Sequence, residues 1–280
     1  MVASWRKSAW CFSVAALVAS LLFISCHGDI LGLIGSADFE YRQGQRNRLV
    51  YLDEKYRRMN LGERYTFVVL SDTHIENSKA QGLERLAGAL VESDAFVVIN
   101  GDVTQSGKRE EVKRFLSIAE DIAQQWDIPV FPVLGNHDTY FDNWNVWKNL
   151  IGSSVYRIDM DTATLIMLDS ANATFGTGQL AWFEDQLKTA NGRVFVFTHT
   201  NLFVRDVQDF QQLTDVRERA RIMSLLPGRC DALFMGHVHQ RLEQRIGGVH
   251  YITTEDFRSH KTYCRVSVGP EGISWQFHSL

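Results

Sequence analysis

Val130-Phe131-Pro132-Val133-Leu134-Gly135-Asn136-His137-Asp138 is the stretch from which the rest of the chain can be read. The apolar run up to Leu134 has the length and composition of a buried strand, and Gly135 lets the backbone turn sharply where that strand ends. Folding alone does not ask for an amide, an imidazole and a carboxylate in succession at such a point. Taken by itself the stretch could equally be an Asx-type turn that closes a strand; its companions elsewhere in the chain decide.

Upstream, Thr66 to Leu70 and Ala95 to Ile99 are runs of the same kind. Leu83, Leu86, Ala87 and Leu90 lie between them at helical spacing, and Val112, Phe115, Leu116, Ala119 and Ile122 repeat that spacing before Val130. Two βαβ units in a row imply a parallel sheet covered by helices. Downstream, further strand runs fall at Thr164 to Leu168, Arg193 to Thr198 and Ala232 to Met235, with helical patterns at Gln179 to Leu187 and Val216 to Leu225. After Gly236 the runs shorten: Arg241 to Ile246, Val249 to Thr253, Thr262 to Val268 and Ile273 to Phe277 are divided by Gly-Gly or Gly-Pro turns and read as antiparallel. The parallel part and the antiparallel tail are expected to form two packed sheets in one domain over residues 65–280.

Composition agrees with a single large core: 280 residues, 45% hydrophobic and 22% charged, with 4 Pro. A formal charge of -4 and a pI of about 6.1 give no electrostatic reason to bind duplex nucleic acid. A small phosphate ester remains open as a partner, since metal ions can supply positive charge locally.

The N-terminus is a different kind of sequence. Arg6 and Lys7 precede an apolar run from Trp10 to Ile24, shorter than the roughly 20 residues that span a bilayer and matching a secretory h-region. Leu22-Phe23-Ile24-Ser25-Cys26 resembles a bacterial lipobox, although Phe23 stands where Leu is usual. Residues 1–25 therefore read as a lipoprotein-type signal peptide, and Cys26 as the lipidation site that would tether the exported protein to a membrane, facing the periplasm or the cell exterior of a bacterium. An uncleaved anchor or a plain signal peptide are the other readings. Removing Arg6 and Lys7 with the signal takes the formal charge from -4 to -6. Residues 26–64 read as a tether and peripheral segment. Cys230 and Cys264 lie in strand-like contexts and could form a disulfide or remain buried thiols.

Past the strand ends stand Asp72 and His74, Gly101 and Asp102, Asn136, His137 and Asp138, His199, and His237 and His239. In open α/β sheets the carboxyl ends of strands are where ligands sit. Asp-x-His and His-x-His, each at a loop or extended turn, can place alternate side chains on the same side of the chain. Imidazole, carboxylate and amide oxygen together suit divalent ions such as Zn, Mn or Fe. A lone His could be a core residue and a lone Asp a turn former, but five of the chain's 9 His joining three Asp and one Asn in this pattern exceed those explanations.

As an ordered set, Asp72-x-His74, Gly101-Asp102, Gly135-Asn136-His137-Asp138, His199 and Gly236-His237-x-His239 resembles the signature of the calcineurin-like metallophosphoesterases. The resemblance covers roughly residues 66–255. It implies an α/β fold, a four-layer αββα sandwich of two mixed β-sheets flanked by helices, with two divalent metal ions at the strand ends. Carried over, Asp72, His74, Asp102 and His239 would hold one ion, and Asp102, Asn136, His199 and His237 the other. The shared Asp102 would span ions roughly 3.5–4 Å apart, with a bridging hydroxide as the attacking group. His137 would touch the phosphate and protonate the leaving oxygen, oriented by Asp138.

Asp102-Val103-Thr104-x-x-Gly107, Leu168-Asp169-Ser170 and Gln179-Leu180-x-Trp182-Phe183 resemble the phosphodiesterase branch. Purple acid phosphatases place a Tyr ligand where this chain has Gln105, and the branch often has Pro where Asn201 stands. Tyr140, Phe141, Trp144 and Trp147 could line a wall for the organic part of the substrate or complete the core. The expected function is hydrolysis of a small phosphodiester. A phosphomonoesterase or nucleotidase on the same centre is the nearest alternative, and a membrane-tethered binding protein without catalysis is a third.

Overall fold

A computed structural model describes residues 39–203 and 213–280, so Cys26 and the signal segment lie outside the described residues. Among the described residues eleven strands form two sheets. In the first, the order is β11 (Gly272–Ser279), β10 (Thr262–Gly269), β1 (Tyr65–Leu70), β2 (Asp94–Asn100) and β3 (Val130–Val133). In the second it is β4 (Tyr156–Asp159), β5 (Ala163–Leu168), β6 (Arg193–Thr198), β7 (Ala232–Met235), β9 (Val249–Thr253) and β8 (Leu242–Ile246). β1, β2 and β3 run parallel, as do β5, β6, β7 and β9, while β10, β4 and β8 pair antiparallel with β1, β5 and β9.

Both sheets are therefore mixed. The antiparallel tail does not form the second sheet that its pattern predicts: its hairpins separate, β8–β9 extending the second sheet and β10–β11 the first. The polar face of β8 and the half-exposed face of β11 show why, since each can end a sheet at an edge but neither could be buried between two.

Alternation along the strands sets the layers. Phe67, Val69, Phe96, Val98, Phe131 and Val133 of the first sheet face Leu165, Met167, Phe195, Phe197 and Phe234 of the second. Phe67 sits at that interface, stacked on Phe96 at 4.7 Å and edge-on to Phe195 at 4.9 Å, contacts worth about 0.5–1.5 kcal/mol each beyond the area they bury. The opposite residues of β1 and β2, Val68, Leu70, Val97 and Ile99, pack outward against Leu83, Leu86, Val112 and Phe115. Ile166, Leu168, Val194 and Val196 do the same against Leu180, Phe183 and Ile222. The result is the expected four-layer sandwich. Its outer layers include α2 (Arg109–Trp126) and α3 (Trp144–Leu150) on one side, α4 (Thr177–Lys188) and α5 (Val216–Leu225) on the other; α1 (Phe39–Gly44) precedes them in the chain. The stretch over Leu83–Ala89 is a 3₁₀ helix rather than the α-helix its spacing suggested; Gly82 at its start and Gly88 within it weaken α-helical propensity.

Residues 39–64 pack into the body. Leu49, Leu52 and Tyr56 join the inter-sheet core. Arg42 is fully buried, its Nε 2.7 Å from Asp169 Oδ2 and its Nη2 2.5 Å from Asn172 Oδ1. Cys230 and Cys264 are buried free thiols. Among the described residues no helix is long and apolar enough to cross a membrane.

Candidate metal centre

The carboxyl ends of β1, β2 and β3 and those of β6 and β7 meet along one edge of the sandwich, and the residues just beyond them converge there. The backbone at Asp-x-His and His-x-His is tightly turned. Asp72, His74, Asp102, His237 and His239 all have left-handed φ, between 46° and 71°. Non-glycine residues adopt that conformation at a cost, of order 1–3 kcal/mol each, and tend to do so at functional sites. The chain past β1, β2 and β7 curls back on itself at these residues. Close approach requires glycine at two neighbours: a Cβ on Gly101 would lie 2.2 Å from His199 Nδ1, and one on Gly135 2.1 Å from the Asp102 nitrogen.

Ligand-type atoms gather in three overlapping groups, each within 4.8 Å: Asp72, His74 and His239; His74, Asp102 and His137; and Asp102, His199 and His237. Asp102 joins the two halves through one oxygen. Its Oδ2 is 3.3 Å from His199 Nε2 and 3.9 Å from His74 Nε2, while its Oδ1 accepts the His137 N–H at 2.9 Å. The Asn136 Oδ1 is 3.1 Å from His199 Nε2, which places the amide oxygen with the second half. His199 is itself fixed from behind, its Nδ1 donating to the Asn100 carbonyl at 3.1 Å.

Charge distribution follows from burial and pairing. Burial alone would raise both carboxyl groups, yet His239 and His199 bring Asp72 below the usual range, and His199 and His137 do the same for Asp102. Burial lowers His199, but the Asp102 and Asp72 carboxylates outweigh it and push the ring up to about 9. The Asp72 ion pair likewise carries His239 to about 9 against its burial, with Nε2 3.2 Å from Oδ1. Burial, with the neighbouring His charges, leaves His74 and His237 lowered to about 4 and neutral at physiological pH. Two carboxylates, two rings ready to bind a cation and two more that would release a proton to do so form a donor set suited to divalent ions. Both His74 nitrogens are buried without a hydrogen-bond donor or acceptor, a costly arrangement that coordination would relieve.

His137 lies at the mouth, its side chain 21% exposed where that of His199 is 0%. Its Nδ1 donates to the Gln105 carbonyl at 2.8 Å, so Nε2 faces the cluster, 3.9 Å from Asp102 Oδ2. This corrects the role expected for Asp138. That carboxylate accepts from the backbone N–H groups of Val103, Thr104 and Gly135 and from Thr104 Oγ1, and so clamps the β2 and β3 loops together. Burial and the Asp102 charge raise it to about 7, against the pull of those donors. Gln105 orients the ring instead, through a backbone carbonyl that carries no residue-type signal.

Trp144 also needs correction as a substrate contact: it is 3% exposed within the outer core of the first sheet, beside Trp147. Tyr140 does reach the site, its ring 4.3 Å from that of His137. Asn201 shapes its loop as an Asx turn in place of Pro, accepting from the Phe203 N–H at 2.6 Å and donating to Thr253 Oγ1 at 2.7 Å. The Leu168-Asp169-Ser170 run braces the centre from outside, since Ser170 Oγ bonds Thr198 Oγ1 and the Thr200 N–H on either side of His199.

Comparison with known proteins agrees with this geometry. A protein of Rhodococcus erythropolis named "Probable cyclic nucleotide phosphodiesterase" is 26% identical over 216 residues, 66% of this chain and 68% of its own. One of similar name from Fibrobacter succinogenes is 28% identical over 110 residues, 37% of this chain and 41% of its own, so the match spans less than half of that relative. The crystal structure of a dimetal phosphatase from Danio rerio shares the fold, with a TM-score of 0.63 at 13% identity over 78% of this chain and 97% of that one. The model of the calcineurin-like phosphoesterases matches residues 65–241, and the chain belongs to that family.

Proposed function

We propose that the chain hydrolyses a small phosphodiester at a two-metal centre, with Asp72, His74, Asp102 and His239 holding one ion and Asp102, Asn136, His199 and His237 the other. As a calcineurin-like phosphoesterase it is a hydrolase of phosphoric esters; the ion number, the residue roles and the diester preference are the proposal. The observation that carries it is the single Asp102 oxygen facing both His74 and His199. Bound divalent ions would neutralise phosphate charge and lower the pKa of a water. The chain's own residues supply the rest. The Gln105 carbonyl holds the His137 Nδ1–H and turns Nε2 to the mouth, where the ring in its doubly protonated form would hand the Nε2 proton to the departing oxygen and stay neutral with Nδ1–H. The clamp around Asp138 keeps the loops bearing Asp102 and His137 in register. The names of the Rhodococcus and Fibrobacter relatives favour a diester, cyclic nucleotides among the candidates.

Purified protein loaded with Mn, Zn or Fe should turn over bis(4-nitrophenyl) phosphate faster than 4-nitrophenyl phosphate. The reverse order would assign a phosphomonoesterase, and bound metal without turnover of any ester would assign a binding protein.

Metal uptake should also release protons. His199 and His239, raised to about 9, carry protons in the metal-free protein at pH 7, and coordination needs the free nitrogen. Apparent affinity should therefore climb with pH and level off above about 9. A weakly buffered indicator at pH 7 should register about two protons per chain on full loading, and one fewer in His239→Ala. No release would mean that the rings are neutral before the ions arrive.

A further inference from the structure

Tyr140 touches two residues of the centre at once. Its hydroxyl accepts from Asn136 Nδ2 at 3.2 Å, and its ring lies 4.3 Å from His137 at a 37° tilt. With Nδ2 turned to Tyr140, the amide oxygen faces His199 Nε2. Hard and borderline cations bind a neutral amide through oxygen, so the amide must present that end to be a ligand at all.

The backbone holds Tyr140 in place with some force. Thr139 N–H and Oγ1 both return to the Asn136 carbonyl, closing a tight turn. Tyr140 itself is extended, and the next two residues, Phe141 and Asp142, adopt left-handed φ of 55° and 60°. Asn143 then donates its N–H to the Tyr140 carbonyl and its side-chain amide to the Ser106 carbonyl, one residue beyond Gln105. The same short loop thus anchors Tyr140 and the carbonyl that orients His137. Strain at Phe141 and Asp142 persists because these bonds fix the turn from both sides.

We infer that Tyr140 is a positioning residue that sets the Asn136 amide with its oxygen toward the metal centre and braces the His137 ring. The inference rests on the assignment of Asn136 as a ligand. Groups that orient ligands typically change metal affinity ~10–100-fold when removed. Tyr140→Phe keeps the ring and removes only the acceptor.

The test is competition of Mn2+ binding against a chelator, in wild type, Tyr140→Phe, Asn136→Ala and the double variant, with folding checked by circular dichroism. Tyr140→Phe should weaken one of the two ions by ~10-fold or more and leave the other as in wild type. In the Asn136→Ala background the same change should add nothing, because the hydroxyl would have no amide to orient. Unchanged binding in Tyr140→Phe, or losses that add in the double variant, would overturn the inference. Wild type that takes up no Mn2+ would overturn it together with the metal assignment. Wild type that binds two ions, responds to Tyr140→Phe as expected and turns over no ester would support the positioning role while removing the hydrolytic function.

Discussion

Asp102→Ala should empty both metal sites and lower turnover by at least ~10²–10³-fold, the scale seen when a single preorganised electrostatic group is removed from an active site. The prediction follows from the shared oxygen: Oδ2 faces His74 on one side and His199 on the other, so both proposed sites lose a charged ligand with it. Removing the carboxylate also leaves the imidazoles with Asp72 as the one remaining carboxylate of the ligand groups among the described residues, and they would repel any cation once protonated. Asn136→Ala, in contrast, deletes a neutral donor near His199 alone and should retain one ion. Elemental analysis of the two purified variants decides between these outcomes, and two ions per chain in Asp102→Ala would end the bridging assignment. Because Oδ1 also accepts the His137 N–H, Asp102→Asn is the companion variant. It preserves an acceptor for that bond and removes the charge, so loss of metal in it cannot be ascribed to collapse of the loop.

The sequence reading and the structure agree where residue chemistry and strand position coincide. Asp72, His74, Asp102, Asn136, His199, His237 and His239 all stand just past apolar runs, and the parallel strands deliver those ends to one edge. Contacts made by main-chain atoms were not legible. The Gln105 carbonyl behind His137 and the Asn100 carbonyl behind His199 could belong to any residue type. The left-handed turns are hidden for a related reason: Asp and His tolerate that conformation less readily than Gly, so residue type alone does not mark where tertiary contacts enforce a curl. Arg42 escaped because a charged residue in a polar N-terminal stretch reads as surface, whereas its bidentate partner Asp169 lies 127 positions away. Trp144 shows the converse error, in which proximity in sequence to the central motif suggested a place in the cleft while helical packing carried the ring into the core.

His137→Ala should retain its metals and slow an alkyl phosphodiester by ~10²–10⁴-fold, the usual range for general acid catalysis, while a nitrophenyl ester suffers much less. The structure supports separating this ring from the ligands. It is more exposed than His199 or His74, and its Nδ1 is committed to a carbonyl, so Nε2 alone is available to whatever occupies the mouth. An alkoxide is too basic to depart without a proton, and nitrophenolate is stable enough to leave on its own; the acid therefore matters for the first and little for the second. Its neighbourhood also allows another role, since the His137 ring lies 4.5 Å from that of His74 and shares a potential ligand group with it and Asp102. The two roles separate in a single comparison of metal content and leaving-group dependence. Intact metal with a loss concentrated on the alkyl ester identifies the acid. Intact metal with equal losses on both esters leaves His137 to position the phosphate. Loss of an ion would move His137 into the coordination set, and the proton would then have to come from solvent or another group.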